Sequence, residues 1–497
     1  MPALGLVLLA LVGMTLLLTG LPAYAVLIFA AVLGAGIGVV SGTIPMALLG
    51  TVSTRLFNLF ESDLLQALPL YVLMGALLNR LTVAPAVVRT LLGLLPRRPG
   101  TPVVAGLGLG ALLAPMSGSV GASVLALARA VEPSLRAAGL PTPMRHASIA
   151  VASTLGVVIP PSLVLILLGD AMLSAHTFAV NATGRMDRVI NTQDVLRAAM
   201  IPAALFLLLS LAVGWYSANR RGGGALEMAN YARPKWSDML LTLATVAFLV
   251  LLLGGVATGY IFAVEGAAAG AVLLMAVGLL TRQVKASMLG DMLTESMATT
   301  GALFAPLLAA TTFTLVLRLL GTDKLIEHWV AALPGGDLAA TGAVLGAIFI
   351  AAFVLDAFEI IFVAVPILIP SLLIRVPDAA WVSSLVLLTL QASFLLPPVG
   401  YALIMTRGVL GAHVPPLTFA KALLPFLLAQ ALVLMLTLCY PRLVHVLEPA
   451  DAQSRGPSAP LRQEEIEDRL QRMLPNLAAP GIPPIDVPPL PPDLTPK

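Results

Sequence analysis

Charge is the scarcest property of this chain. Only 11% of its 497 residues are charged, while 59% are hydrophobic; soluble domains carry roughly 25% charged residues. Lys and Arg number 28 against 25 Asp and Glu, and no basic cluster of the kind that binds nucleic acid is present. Cysteine is nearly absent. Cys439 stands alone, which rules out an intrachain disulfide, a CxxC motif and a Cys/His metal site. The five histidines, His146, His176, His328, His413 and His445, are scattered and form no HExxH pattern. Neither GxSxG, a P-loop nor a dinucleotide fingerprint occurs. The chain therefore reads as neither an enzyme nor an ATP-driven pump, and no cofactor is implied.

What it has instead is long apolar runs. Mean hydropathy is +0.97, and charge-free stretches recur at Pro2–Tyr24, Ala25–Thr54, Leu240–Tyr260, Gly266–Thr281, Gly301–Leu317 and Leu338–Leu355. Each is near or above the roughly 17 residues needed to cross the hydrocarbon core. The pattern predicts an all-α polytopic membrane protein of about ten to twelve helical segments. The first run follows Met1 without a basic residue and flows into the second, so it reads as a membrane helix rather than a cleaved signal. Ser217–Lys235 holds four Arg/Lys, one Glu and a Gly triplet, the composition of a cytoplasmic linker.

Two Pro-Pro pairs, Pro160-Pro161 and Pro397-Pro398, interrupt apolar runs. Proline lacks a backbone donor and clashes with the preceding turn, so each pair breaks the helix that carries it. A broken helix at membrane depth survives only where protein buries it or a wet cavity receives it. Paired breaks in two halves point to a transporter's binding site. An offset of 237 residues (160 to 397) also carries Pro69 onto Pro306 and the Gly-rich stretch Gly106–Ala128 onto Ala343–Val365. The expected organisation is a first repeat over 1–216, a linker over 217–236, a second repeat over 237–447 and a polar, Pro-rich tail over 448–497. Each repeat reads as two long helices, a short arm, a Pro-headed helix, an interrupted segment, a broken helix and a closing helix. Interrupted segments are placed near 101–130 and 338–375, broken helices near 147–173 and 380–412. The segment around Pro115–Ser119 reads either as a re-entrant hairpin with an exposed tip or as close packing by small residues. An odd number of crossings per half makes the repeat inverted, with Met1 outside and the linker inside. In the tail, Arg462–Leu474 has the spacing of one amphipathic helix.

Acidic residues inside membrane runs are costly, so Asp356 and Glu359 stand out. At i and i+3 they share a helix face. They read as a cation or proton site, as an anchor for the hairpin tip, or as a structural pair satisfied by Arg318, Arg407 or a backbone donor. Ser117, Gly118, Ser119, Gly121 and Ser123 offer hydroxyls and close backbone access. Thr154, Gly156, Gln391 and Ser393 precede the proline pairs, where unwound carbonyls bind cations and new helix N-termini attract carboxylates. Ordinary helix packing is the competing reading for each. Arg407, nine residues past Pro398, reads as a partner for a substrate carboxylate or as a snorkelling cation. Asp170 reads as a boundary residue at the end of its helix.

The stretches PLYVLMGALL, SGSVGAS, STLGVVIPPSLVLILLGD, LDAFEIIFVAVPILIP and LQASFLLPPVGYALIMTRG together resemble the large membrane subunit, the DctM-type permease, of the tripartite ATP-independent periplasmic (TRAP) transporters. The resemblance runs over about residues 1–445 and is nearest to the 2-oxo acid and lactate ("mannitol/chloroaromatic") branch. It implies an elevator-type member of the ion-transporter superfamily in a bacterial inner membrane. It further implies sodium as coupling ion, a periplasmic solute-binding protein, a separate small four-helix subunit of DctQ type and an organic acid substrate. By position, Ser117–Ser123 is then the first hairpin tip, Thr154–Pro161 and Gln391–Gly400 are the unwound helices, and Asp356 and Glu359 sit by the second hairpin. The chain departs from the pattern in lacking a further serine after SGS, in a longer loop at Leu173–Asp194, and in its tail. The alternatives are a stand-alone proton- or sodium-coupled anion carrier that needs no binding protein, and a membrane scaffold or sensor.

Overall fold

The computed structural model describes residues 2–61, 63–117, 120–160, 162–185, 188–221, 234–258, 260–396, 400–411 and 414–448. All regular structure among them is helical. In lipid this follows from backbone chemistry, because a helix satisfies its own N–H and C=O groups. The first half runs α1 (Pro2–Thr19), α2 (Ala23–Val40), α3 (Met46–Leu49), α4 (Thr51–Glu61), α5 (Asp63–Arg80), α6 (Val83–Leu94), α7 (Thr101–Ser117), α8 (Val120–Ala137), α9 (Thr142–Val158), α10 (Leu163–Thr183) and α11 (Thr192–Arg221). The second runs α12 (Trp236–Thr258), α13 (Ala263–Leu280), α14 (Ala286–Leu319), α15 (Thr322–Ala332), α16 (Gly336–Ala351), α17 (Ala357–Glu359), a π-turn (Ile360–Ala364), α18 (Val365–Arg375), α19 (Ala379–Leu395), α20 (Tyr401–Leu410), α21 (Pro416–Cys439) and α22 (Arg442–His445). Among the described residues eight helices are long and apolar enough to cross a membrane, and a ninth span forms if the bent pair Met46–Glu61 and Leu65–Leu78 is counted.

The sequence offset reappears in the helix bounds. α9 (Thr142–Val158) and α19 (Ala379–Leu395) begin and end 237 residues apart. The packing is reciprocal as well. α8 lies on α20 while α18 lies on α10, so the second arm of each interrupted segment braces the post-break helix of the other half. Within each half, α7 packs on α9 and α16 on α19. A second group joins α2 to α14, α5 to α13 and α6 to α12, again across the halves.

Several expected boundaries move. Pro69 and Pro306 lie inside α5 and α14 rather than at helix heads. The arm and the Pro-bearing helix of the second half fuse into one 34-residue helix, whereas their first-half counterparts bend by 49°. Leu173–Asp194 is not a loop throughout. α10 continues to Thr183, buries His176 and Ala179, and stops where Gly184 takes φ +63. A left-handed residue of that kind is how glycine ends a helix. Asp170 consequently lies within α10, not at its end. α11 carries on to Arg221 and takes the first residues expected in the linker; residues 222–233 and the proposed tail helix at 462–474 lie outside the described residues.

Candidate functional site

Both proline pairs break their helices. α9 ends at Val158 because Ile159 is extended, and Pro160 is buried in the gap. Ser162 then restarts the chain. Its hydroxyl donates to the Val157 carbonyl at 3.1 Å and accepts from the Leu165 N–H at 3.0 Å, capping α10 while tying it to α9. Ser162 was not singled out in the sequence, although a serine immediately before an apolar helical run is a cap signal. α19 ends at Leu395 with Leu396 extended, and Gly400 leads into α20. Phe394 and Tyr401 flank this break, their ring centroids 6.3 Å apart. A Cβ on Gly400 would lie 2.6 Å from the Phe394 carbonyl oxygen and 2.9 Å from that of Leu396, so the tight return admits only glycine. Pro161, Pro397 and Pro398 lie outside the described residues.

The two broken helices pack on one another. α9 touches both α19 and α20, and α19 touches both α9 and α10. Each pre-break helix thus borders both halves of the other broken helix. Between them the broken helices present four ends, two carboxyl-terminal and two amino-terminal. The carbonyl ends carry partial negative charge and the N–H ends partial positive charge. Such a junction can hold a cation and an anionic group side by side.

The two interrupted segments pack on the broken helices. The first consists of α7 and α8. Gly118 and Ser119 lie outside the described residues, and Ser117 is the last residue of α7. Gly121 and Ser123 stand in the first turn of α8, Ser123 buried. Gly110 lets α7 approach α9: a Cβ there would meet the Ala152 carbonyl oxygen at 2.4 Å. The second segment is α16 and α18 joined through Asp356, α17 and the π-turn. Asp356 is extended at the N-cap of α17, and its N–H donates to Glu359 Oε2 at 3.0 Å. That bond gives the Glu359 carboxylate a backbone donor; among the described residues neither carboxylate pairs with an arginine. Arg318 instead donates to the Pro366 carbonyl at 3.3 Å and covers Phe178 at 5.8 Å. The π-turn follows Glu359 directly. Pro366 has no N–H for the Phe362 carbonyl, which favours the wider turn, and turns of this type are frequent at functional sites. On its outer side this segment borders an apolar crevice of about 530 Å³ lined by Val12, Trp329, Val344, Ile350 and Ile367.

The remaining candidates fall at the junction or away from it. Thr154 and Ser393 are fully buried just before the breaks, and their hydroxyls donate to the carbonyls of Val151 (2.9 Å) and Leu390 (2.6 Å). Gly156 is half-buried beside Thr154. Gln391 is fully buried on α19. Arg407 lies in the last turn of α20, where it donates to the Val414 carbonyl at 3.4 Å and stacks over Phe419 at 5.4 Å. Phe419 also meets the edge of His146, a buried histidine that the sequence did not mark.

Residues 8–443 match the family described as "Tripartite ATP-independent periplasmic transporter, DctM component". The C4-dicarboxylate TRAP transporter large permease protein DctM of Rhodobacter capsulatus is 23% identical over 405 residues, covering 79% of this chain and 90% of that protein. The isethionate TRAP transporter permease protein DctMQ of Oleidesulfovibrio alaskensis is 24% identical, covering 81% of this chain and 60% of that one. The sialic acid TRAP transporter permease protein SiaT of Haemophilus influenzae is 24% identical, with 78% and 60% covered. In fold, the chain is similar to the YdaH transporter of Alcanivorax borkumensis, with a TM-score of 0.59 at 15% identity over 79% of this chain and 87% of that one.

Proposed function

The chain belongs to the DctM component family of the tripartite ATP-independent periplasmic transporters, and from that premise we propose that it is the permease through which sodium drives the uptake of an organic acid. It is a multi-pass transporter subunit of the inner membrane, not an enzyme. The observation that carries the finer reading is the packing of the two broken helices, in which each pre-break helix borders both halves of the other. In this reading the carbonyl ends of α9 and α19, with the hydroxyl oxygens of Thr154 and Ser393, supply oxygen ligands to sodium. The amino-terminal ends of α10 and α20 receive the carboxylate. The tips near Ser123 and near Asp356 and Glu359 close the site. The substrates in the names of the relatives, C4-dicarboxylates, isethionate and sialic acid, are all organic anions, which supports the substrate class.

A small DctQ-type membrane subunit and a periplasmic solute-binding protein complete the system in this reading. Proteoliposomes holding this chain and the small subunit, supplied with the binding protein and an inward sodium gradient, are expected to accumulate the acid that the binding protein carries. Uptake that proceeds equally without sodium and without the binding protein overturns the proposal in favour of a stand-alone carrier.

A further inference from the structure

The interior of the α11, α19 and α21 group carries buried polar atoms with no hydrogen-bond partner among the described residues. These three helices pack against one another pairwise. Two hydrogen bonds fix the register of α19 on α21: Trp381 Nε1 donates to the Thr437 carbonyl at 2.7 Å, and Gln430 Nε2 donates to the Leu388 carbonyl at 2.9 Å. One chain advances seven residues while the other retreats seven, so the helices are antiparallel. α11 also runs against α21, because a Cβ on Gly214 would lie 3.6 Å from the Phe426 ring while α22, beyond the far end of α21, packs on α11. Ser210, one turn before Gly214, is then level with Gln430, one turn after Phe426. On α19, Ser384 and Gln391 lie one turn either side of Leu388 and, seven residues apart, share a face.

All four residues are no more than 1% exposed. Ser210 Oγ, Ser384 Oγ, both amide atoms of Gln391 and Gln430 Oε1 have no hydrogen-bond partner among the described residues. They are five of the eleven such buried side-chain atoms, and they lie on three mutually packed helices, Ser384 and Gln391 about 10 Å apart along α19 with the level of Gln430 between them. Their neighbours behave differently. Ser383, Thr389 and Thr437 each donate to a carbonyl of their own helix, the usual way a hydroxyl is satisfied inside a membrane helix. Ser210 and Ser384 do not.

Buried polar groups find partners, in protein or in ordered water. We propose that α11, α19 and α21 enclose a bound-water site, in which a small cluster of ordered water bridges Ser210, Ser384, Gln391 and Gln430. The donor inventory decides against a cation. A metal ion takes oxygens only and leaves the Gln391 N–H groups and the serine hydroxyl hydrogens unpaired, whereas water accepts from these and donates to the two amide oxygens. The site assigns Gln391 to the helix interior rather than to the ion at the break, and it fixes the pre-break half of α19 against the two long helices behind it.

Two measurements on the full-length chain in lipid nanodiscs test this, and neither depends on transport, so their outcome is separate from that of the uptake experiment. In the first, melting of Ser210→Ala, Gln391→Met and the double variant is compared. Each single change is expected to lower the melting temperature by about 2 °C, and the double variant to lose less than the two losses combined, because both residues hold the same water. Additive losses, or any rise in melting temperature, overturn the proposal. In the second, the unsubstituted protein is mixed briefly into ¹⁸O-water and pulsed with hydroxyl radicals. Leu388 and Phe426, both fully buried, are expected to be oxidised with ¹⁶O from slowly exchanging internal water. Coupling without such labelling identifies a direct amide–hydroxyl contact and equally overturns the water site.

Discussion

Gly400 is the residue with the least freedom at the second break. A methyl group there meets two backbone carbonyls at under 3 Å, and backbone cannot step aside as a flexible side chain can. Gly400→Ala is expected to destabilise the chain by about 1–3 kcal/mol, the range for overpacking, and to abolish uptake. Gly301, with open space around its Cβ position, provides the contrast, and Gly301→Ala is expected to be near neutral in the same melting assay. The residues legible in the sequence are those that act through their own backbone or through their rarity: the proline pairs, the glycine after the second pair, and the acids at Asp356 and Glu359. Ser162 was legible in principle as a cap. Ser210 and Gln430 were not, because a serine or glutamine in an apolar run acquires meaning only from what stands opposite it on another helix.

At the scale of elements, α22 is fastened to the start of α19. His445 lies between two carboxylates, with Nε2 2.8 Å from Asp378 Oδ2 and Nδ1 2.7 Å from Glu448 Oε1. Asp378 also caps α19 by accepting from the Trp381 N–H at 2.9 Å. The hydrogen bond to Asp378 is the main cause that raises the His445 pKa to about 9, helped by the charge of Asp378 and by Glu448 and opposed by burial. A group raised from the ordinary value near 6.5 contributes its full stability below that value and loses it as pH climbs through about 9. The melting temperature of the native chain is therefore expected to fall between pH 6.5 and 9.5 by more than that of His445→Gln; equal slopes would remove the fastening from the account. The helices themselves were readable from hydropathy, and α9 and α19 from the repeat offset. Where α10 stops was not, since LLGDAMLSAHTFAVNAT mixes apolar and polar residues and its length is settled by packing and by the left-handed turn at Gly184.

For the whole molecule, the decisive feature is that neither half closes on itself. α8 braces α20 and α18 braces α10, while α2, α5 and α6 each find their partner in the other half. Residues 1–216 or 237–447 expressed alone are expected to be degraded or to aggregate, and co-expression of the two pieces to restore a protease-resistant complex. Survival of either piece by itself contradicts this mutual dependence. The halves nonetheless differ in one member. α14 is continuous for 34 residues, a rod of about 51 Å at 1.5 Å per residue, against a hydrocarbon layer of about 30 Å. It must lean steeply or stand clear of the lipid at one end. Arg318 near its carboxyl-terminal tip donates to the Pro366 carbonyl, so the tilt that the surrounding bilayer imposes on this rod bears on the segment that carries Asp356 and Glu359.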